Sequence, residues 1–170
     1  MGLPQAQDPA NEPPSQPQQQ PSSTTSTTKS INALPPEAIA LATKLFDFAR
    51  AGQTAELSQY LSAGIPVNLT NHTGDTLLML ASYHGHLNTV ELLLGKSADC
   101  NVLNDRGQSV IAGAVFKDHI DVVRALKGAD ADLLKGQPNA VDSARMFKRV
   151  DCLRMFGLEE EAAEVEAAMP

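Results

Sequence analysis

Four histidines and two cysteines carry the most versatile chemistry in this 170-residue chain. His84-x-His86, with His72 upstream, has the outline of a ligand set, because neutral imidazoles at short spacing bind zinc. No cysteine or carboxylate stands at metal-site spacing to complete a set of four. His86 and His119 lie 33 positions apart in equivalent settings. A recurring position points to a structural duty, so no metal is expected. Cys100 lies 33 positions after Val67, an apolar site, and reads as buried and inert. Cys152 reads as packing in the same way. The chain has no Gly-x-Ser-x-Gly, no phosphate-cradling Gly-rich loop with Lys, and no His-Glu-x-x-His. No catalytic residue and no cofactor is therefore expected. Asn68-Leu69-Thr70 and Asn71-His72-Thr73 fit the glycosylation acceptor pattern, which has meaning only in a secreted chain.

Composition excludes further classes. Lys and Arg number 13 against 20 Asp and Glu, for a net charge of −7. A nucleic-acid binder needs a basic footprint, so none is expected to bind here. No apolar run approaches the ~18 residues of a membrane span. Two cysteines are too few for a disulfide scaffold and read as free thiols in a reducing compartment, the cytoplasm or alternatively the nucleus. Aromatics make up 4% and Trp is absent, so a core must be built from Leu, Val, Ile and Ala, which suits helices.

The charge is unevenly spread. Residues 1–30 carry net −1, residues 31–157 carry 12 basic and 13 acidic side chains, and residues 158–170 carry five Glu and no base. Residues 1–33 form a Pro/Gln/Ser/Thr-rich leader too poor in apolar surface to offset its ordering entropy, and disorder is expected there. It lacks an apolar signal core and has no Arg, so it fits neither a secretory signal nor a mitochondrial presequence. Its Ser22 to Thr28 run reads as phosphorylation acceptors or as plain solvated low-complexity sequence.

The elements that position the remaining side chains follow from internal repetition. A shift of 33 places Gly52 on Gly85, Leu57 on Val90 and Asn68 on Asn101. The same shift places Gly74 on Gly107, Thr76 on Ser109, Ala81 on Ala114 and His86 on His119. Later the offset falls to 31 at Ala98-Asp99 against Ala129-Asp130, and to 30 at Ala114 against Ala144. Four units result, near 38–70, 71–103, 104–133 and 134–157. Each begins with a polar Gly turn such as Asn71 to Asp75. Thr76 then caps a first helix through its hydroxyl. Leu77, Leu78, Leu80 and Ala81 supply an apolar stripe, and Gly85 ends the helix. A second helix starts near Asn88, with Val90, Leu92, Leu93 and Leu94 apolar and Glu91 outward. Helices of about nine residues are marginal alone. Their stripes are buried only by the next unit, which predicts an all-α solenoid.

The stretch from Gly74-Asp75-Thr76-Leu77-Leu78 through His84-Gly85-His86-Leu87 to Ala98-Asp99-Cys100-Asn101 resembles an ankyrin repeat. A second copy runs from Gly107 through His119 to Gly128-Ala129-Asp130. The resemblance covers about residues 40–157, and the chain is similar to small stand-alone ankyrin-repeat proteins of microbes and fungi. It departs from the family at the Thr-Pro-Leu-His signature, which here is Thr76-Leu77-Leu78-Met79 and Ser109-Val110-Ile111-Ala112. The family histidine, which ties neighbouring repeats, is thus Met79 and Ala112. The resemblance implies a non-catalytic module that binds a protein partner on its concave face, as scaffold, adaptor or regulator, and a monomer is expected. It places contacts at the turn tips His72, Thr73 and Asp75, then Asp105, Arg106 and Gln108. It also places them at first-helix ends: Arg50 and Ala51, Tyr83 and His84, Phe116 and Lys117, Met146 and Phe147. Tyr83, Phe116 and Met146 stand in register, about 10 Å apart per repeat. They read either as partner anchors or as rings packed between units.

The acidic segment 158–170 is rich in Glu and Ala and predicts a short helical tail. Arg145, Lys148 and Arg149 share one face of the last unit at i, i+3, i+4 spacing. One reading folds the tail onto this face as a polar end cap. The other has the tail hold a basic client, as a dedicated chaperone or escort would.

Overall fold

The computed structural model describes residues 29–30 and 36–169; most of the expected leader, residues 1–28 and 31–33, lies outside them. Among the described residues the chain is a stack of helix pairs. Helices α1 (Pro36–Ala51) and α2 (Thr54–Ser62) form the first pair. Helices α3 (Leu77–Tyr83) and α4 (Leu87–Gly95) form the second, and α5 (Val110–Phe116) and α6 (Ile120–Gly128) the third. Helices α7 (Ala140–Met146) and α8 (Val150–Met155) form the fourth, and α9 (Glu159–Ala167) follows. First helices pack on first helices and second on second, α1 on α3 on α5 on α7 and α2 on α4 on α6 on α8. A two-residue strand, β1 (Lys29–Ser30), pairs in parallel with β2 (Leu69–Thr70), inside the segment for which disorder is expected.

Capping sets where the short first helices begin. The Thr76 hydroxyl accepts from the Met79 amide at 3.1 Å, and Ser109 accepts from Ala112 at 3.3 Å. Asn139 takes over the duty in the fourth unit, accepting from Asp142 at 2.9 Å. Each cap satisfies an amide that has no partner inside the helix. The helices end on left-handed residues. Gly85 has φ +78°, and the amides of Gly85 and His86 donate back to the carbonyls of Ser82 and Ala81.

Burial runs as two apolar rows. Leu45, Leu78 and Ile111 line the first-helix row, and Leu57, Leu93, Leu126 and Leu153 the second-helix row; all are 0–1% exposed. Burying one such side chain is worth about 1.5–3 kcal/mol. No single unit could bury these residues alone, since each stripe faces its neighbour. Met79 and Ala112, which stand where the family has histidine, are buried within the stack.

The ties between units sit elsewhere. Nε2 of His86 donates to the Arg50 carbonyl at 2.7 Å, and Nε2 of His119 donates to the Tyr83 carbonyl at 3.1 Å. These carbonyls lie in the last turn of α1 and at the last residue of α3, where helices leave acceptors open. Each ring also lies flat on the preceding unit's break. A Cβ at Gly52 would come within 2.6 Å of His86, and one at Gly85 within 2.6 Å of His119. At the third junction both partners change. Arg149 replaces the histidine, donating from Nη2 to the Phe116 carbonyl at 2.9 Å. Asp118 replaces the glycine at φ +63° and pairs with Arg149 at 3.2 Å. On the opposite edge, Asn68 accepts from the Asp99 amide at 2.9 Å and Asn101 from the Asp132 amide at 2.8 Å.

Two glycines separate backbone strain from ring packing. Gly107 has φ +72° with nothing near a notional Cβ, whereas Gly85 meets the His119 ring. Gly107→Ala is expected to lose only the conformational term, about 1 kcal/mol. Gly85→Ala is expected to lose clearly more, with a melting temperature lower by several degrees. In a His119→Ala background the two glycine substitutions should converge, as read by urea unfolding of all four variants.

Candidate functional site

The turns before α3 and α5 are built on buried asparagines. Asn71 Oδ1 accepts from the amides of Thr73 and Asp75 at 2.9 and 2.8 Å. Asn104 Oδ1 accepts from those of Arg106 and Gln108 at 3.1 and 2.9 Å. The turns are also laced together, the Asp105 amide donating to the Thr73 carbonyl at 3.1 Å. Thr73 and Asp75 lie half-buried within this network. Asp75 receives Thr73 Oγ1 at 2.6 Å, Asn104 Nδ2 at 2.9 Å and Asn71 Nδ2 at 3.2 Å. Burial alone would raise its pKa. The three hydrogen bonds and the Arg106 charge outweigh burial and hold the carboxyl below its ordinary value. Gln108 likewise accepts from Asn104 at 3.0 Å. His72, Asp105 and Arg106 are the exposed tips.

The first-helix ends form a ring cluster. Tyr83 and Phe116 stack with centroids 6.4 Å apart at 20°. Phe116 meets Phe147 edge-on at 4.8 Å. These spacings are shorter than the helix separation because the side chains lean together. The row therefore continues through Phe147 rather than Met146, the residue in strict register. Met146 is 66% exposed, while Tyr83 and Phe116 are each 39% exposed. The rings thus pack on one another between units and still present a face to solvent. Lys117 lies over the Tyr83 ring at 5.3 Å.

Between the tips and the rings lies a groove of about 520 Å³. It gathers Asp75, Arg106 and Gln108 from the turns with Tyr83, His84, Phe116, Met146 and Phe147 from the helix ends. His72, Thr73, Asp105 and Lys117 do not line it. Its floor contains residues sequence reading passed over, namely Met79, Ala112 and Gly113. Gly113 lies inside α5, where glycine costs about 0.5–1 kcal/mol. A side chain there would reach toward Tyr83, whose Cδ2 lies 3.6 Å from the Cβ position. A glycine inside a helix was the available signal. Asn71 and Asn104, 33 positions apart in the Gly turns, carried a similar signal for the tip organisers.

His84 is exposed, its ring stacked 6.2 Å from His86. Its pKa is lowered, first by partial desolvation and then by the positive charges of His86, Arg50, Lys117 and His119. Among the described residues no three His, Cys, Asp or Glu side chains gather as a metal site. The Cys100 thiol donates to the Ala129 carbonyl at 3.2 Å, and burial raises its pKa. Burial pushes Cys152 up to about 11. Both thiols are buried, which disfavours the reactive thiolate.

The acidic tail lies against the last unit. α9 packs on α8 and buries Ala162 completely. Glu161 takes Arg145 in two bonds, at 2.7 and 2.9 Å, and Glu166 takes Arg154. The expected basic face is corrected on this point. Arg149 turns back to Asp118 and the Phe116 carbonyl, and the second cation holding the tail is Arg154 rather than Lys148.

This architecture matches a known family. The model for ankyrin repeats in three copies matches residues 45–135, just over half of the chain. The chain belongs to the ankyrin-repeat family, whose members are generally protein–protein interaction modules. A protein of Pseudomonas aeruginosa described as an ankyrin repeat protein is 61% identical over 49 residues, 29% of each chain. Acyl-CoA-binding domain-containing protein 2 of Arabidopsis thaliana is 42% identical over 52 residues, 31% of this chain and 15% of that one. The matches thus span less than a third of either relative's length. The fourth helix pair lies wholly outside the matched residues, yet packs on the third as the others do. Among the described residues, no helix is long and apolar enough to cross a membrane.

Removing residues 158–170 exposes the α8 face and leaves Arg145 and Arg154 only their longer pairs with Asp142 and Asp151. A lower melting temperature is expected, with loss beginning at α7 and α8 in hydrogen exchange. The Arg145 hydrogen bond holds the Glu161 carboxyl below its ordinary value. Its contribution is therefore complete above the unfolded carboxyl pKa and is lost as pH falls through the lower folded value. Glu161→Gln should lower stability at neutral pH and flatten this acid limb, followed by thermal melts across pH.

Proposed function

We propose that this protein is a non-catalytic scaffold, adaptor or regulator that binds a protein partner in the groove between the turn tips and the first-helix ends. The supporting observation is the row Tyr83, Phe116 and Phe147, ordered by mutual stacking and partly exposed. Ordered aromatic faces lose little side-chain freedom on binding and are frequent hot spots. The hydrogen-bonded turn tips hold the opposite wall in place, so little reorganisation is needed. His84, Arg106 and Gln108 supply polar contacts. His72, Asp105 and Lys117 extend them beyond the groove, and Thr73 and Asp75 support the wall. A cytoplasmic or nuclear setting and a monomeric chain belong to the same reading, and both cysteines are free.

The alternative, a chaperone or escort that holds a basic client with the tail, has less support. Two of the five tail glutamates already pair with the chain's own arginines.

The double variant Tyr83→Ala/Phe116→Ala should weaken partner binding at least tenfold, about 1.4 kcal/mol. Helical content should be kept. Affinity capture with the full chain and calorimetry on the recovered partner would measure it. Undiminished binding by a folded double variant would remove the groove from the proposal, and binding lost only on tail deletion would favour the escort.

A further inference from the structure

The groove's charge differs from that of the chain as a whole. Net charge is −7, yet the exposed charges beside the rings are largely cations. Arg106 stands at the tip and lines the groove. Lys117 lies over Tyr83, and Lys148 directly follows Phe147, exposed at φ +52°. Among the described residues none of these three makes an ion pair with a carboxylate. The acids on this side are largely engaged. Asp47 is held by Arg50, Asp118 by Arg149 and Asp142 by Arg145. Asp75 lines the groove as a carboxylate whose oxygens are taken by amide and hydroxyl donors and whose charge is met by Arg106. Asp105 is the remaining exposed acid. The tail glutamates belong to α9, which packs on α8, and the two that reach the last unit are engaged, Glu161 by Arg145 of α7 and Glu166 by Arg154 of α8.

Resting on the groove reading, we infer that the partner segment is an acidic peptide with aliphatic or aromatic anchors, its carboxylates meeting Arg106, Lys117 and Lys148 and its anchors lying on Tyr83, Phe116 and Phe147. Local charge decides the preference because screening confines interactions to about 8 Å at physiological salt. Three units at about 10 Å spacing span roughly 20 Å. That distance fits about six extended residues. The groove volume lies within the range that takes ligand side chains and holds one or two anchors. Lys117 is also one of the cations that lower the His84 pKa, and a carboxylate bound there would relieve that push and raise it.

The test uses the full chain and three fluorescein-labelled eight-residue peptides with identical Leu and Phe anchors. Their alternate positions are Glu, Gln or Lys, and binding is read by anisotropy. The Glu peptide is expected to bind at least about tenfold tighter than the Gln peptide, and the Lys peptide weakest. The advantage should shrink between about 0.1 M and about 1 M salt. Arg106→Glu/Lys117→Glu, at exposed positions, should abolish it while circular dichroism is unchanged. On Glu-peptide binding the His84 ring should titrate at higher pH by NMR. Equal or tighter binding of the Gln or Lys peptide overturns the acidic preference. If that binding still needs Tyr83 and Phe116, the groove reading stands. Glu-peptide binding that survives Tyr83→Ala/Phe116→Ala overturns both. No binding of any peptide up to millimolar concentration overturns the inference and leaves the groove to the partner test. Self-association by ultracentrifugation that is lost in the charge-reversed variant also overturns it, in favour of a second copy as occupant.

Discussion

The leading helices cannot complete themselves. A helix of seven residues leaves more backbone acceptors open at its end than it closes inside. Here the Arg50, Tyr83 and Phe116 carbonyls receive a donor from the following unit, through His86, His119 and Arg149. The same side chains fix the distance and rotation between units by lying on the preceding break. Burial of the two leucine rows supplies most of the stabilising free energy, but apolar contact is tolerant of sliding. The directed hydrogen bond makes one register preferred. Everything on the concave side, the ring stack and the laced turns, inherits its position from that junction.

The partly exposed rings follow from it as well. Tyr83 and Phe116 carry both the tied carbonyl and the side chain that faces the groove. Fixing the backbone at these residues limits where the rings can point, and stacking then limits it further. The groove is therefore ordered without filling it. Gly113 keeps the floor low at a cost in helix propensity. Asn71 and Asn104 serve the opposite wall by satisfying the backbone of tight polar turns. Rigid walls and an open floor suit recognition of a chain segment more than enclosure of a small molecule.

Much of this was legible in the residues. The period of 33 gave the helix pairs, the Thr76 and Ser109 caps, the Gly85 break and the structural duty of His86 and His119. Most residues named for the groove do come together there. What escaped was side-chain direction. Register counts Cα positions, so it aligned Met146 with Phe116, whereas ring packing joins Phe116 to Phe147. The resemblance places Thr73 and Asp75 at the turn tips but does not say that their side chains also hold the turn by hydrogen bonds. Arg149 looked like part of a basic face because helical spacing does not say that a residue capping a helix start reaches back to the previous unit. The offset of 30 in the fourth unit puts Arg149 on His119, but the position alone does not say that a guanidinium takes over the imidazole's bond.

That equivalence also restricts the order in which units can follow one another. A unit opening its second helix with histidine needs a predecessor whose break bears no side chain, as Gly52 and Gly85 provide. The third unit ends its break in Asp118, which suits an arginine and would meet an imidazole with a carboxylate in its space. The second unit could in principle succeed itself, but the third could not. Duplication can thus lengthen this array from its middle, while the last junction acts as a terminator that admits only a successor made to match.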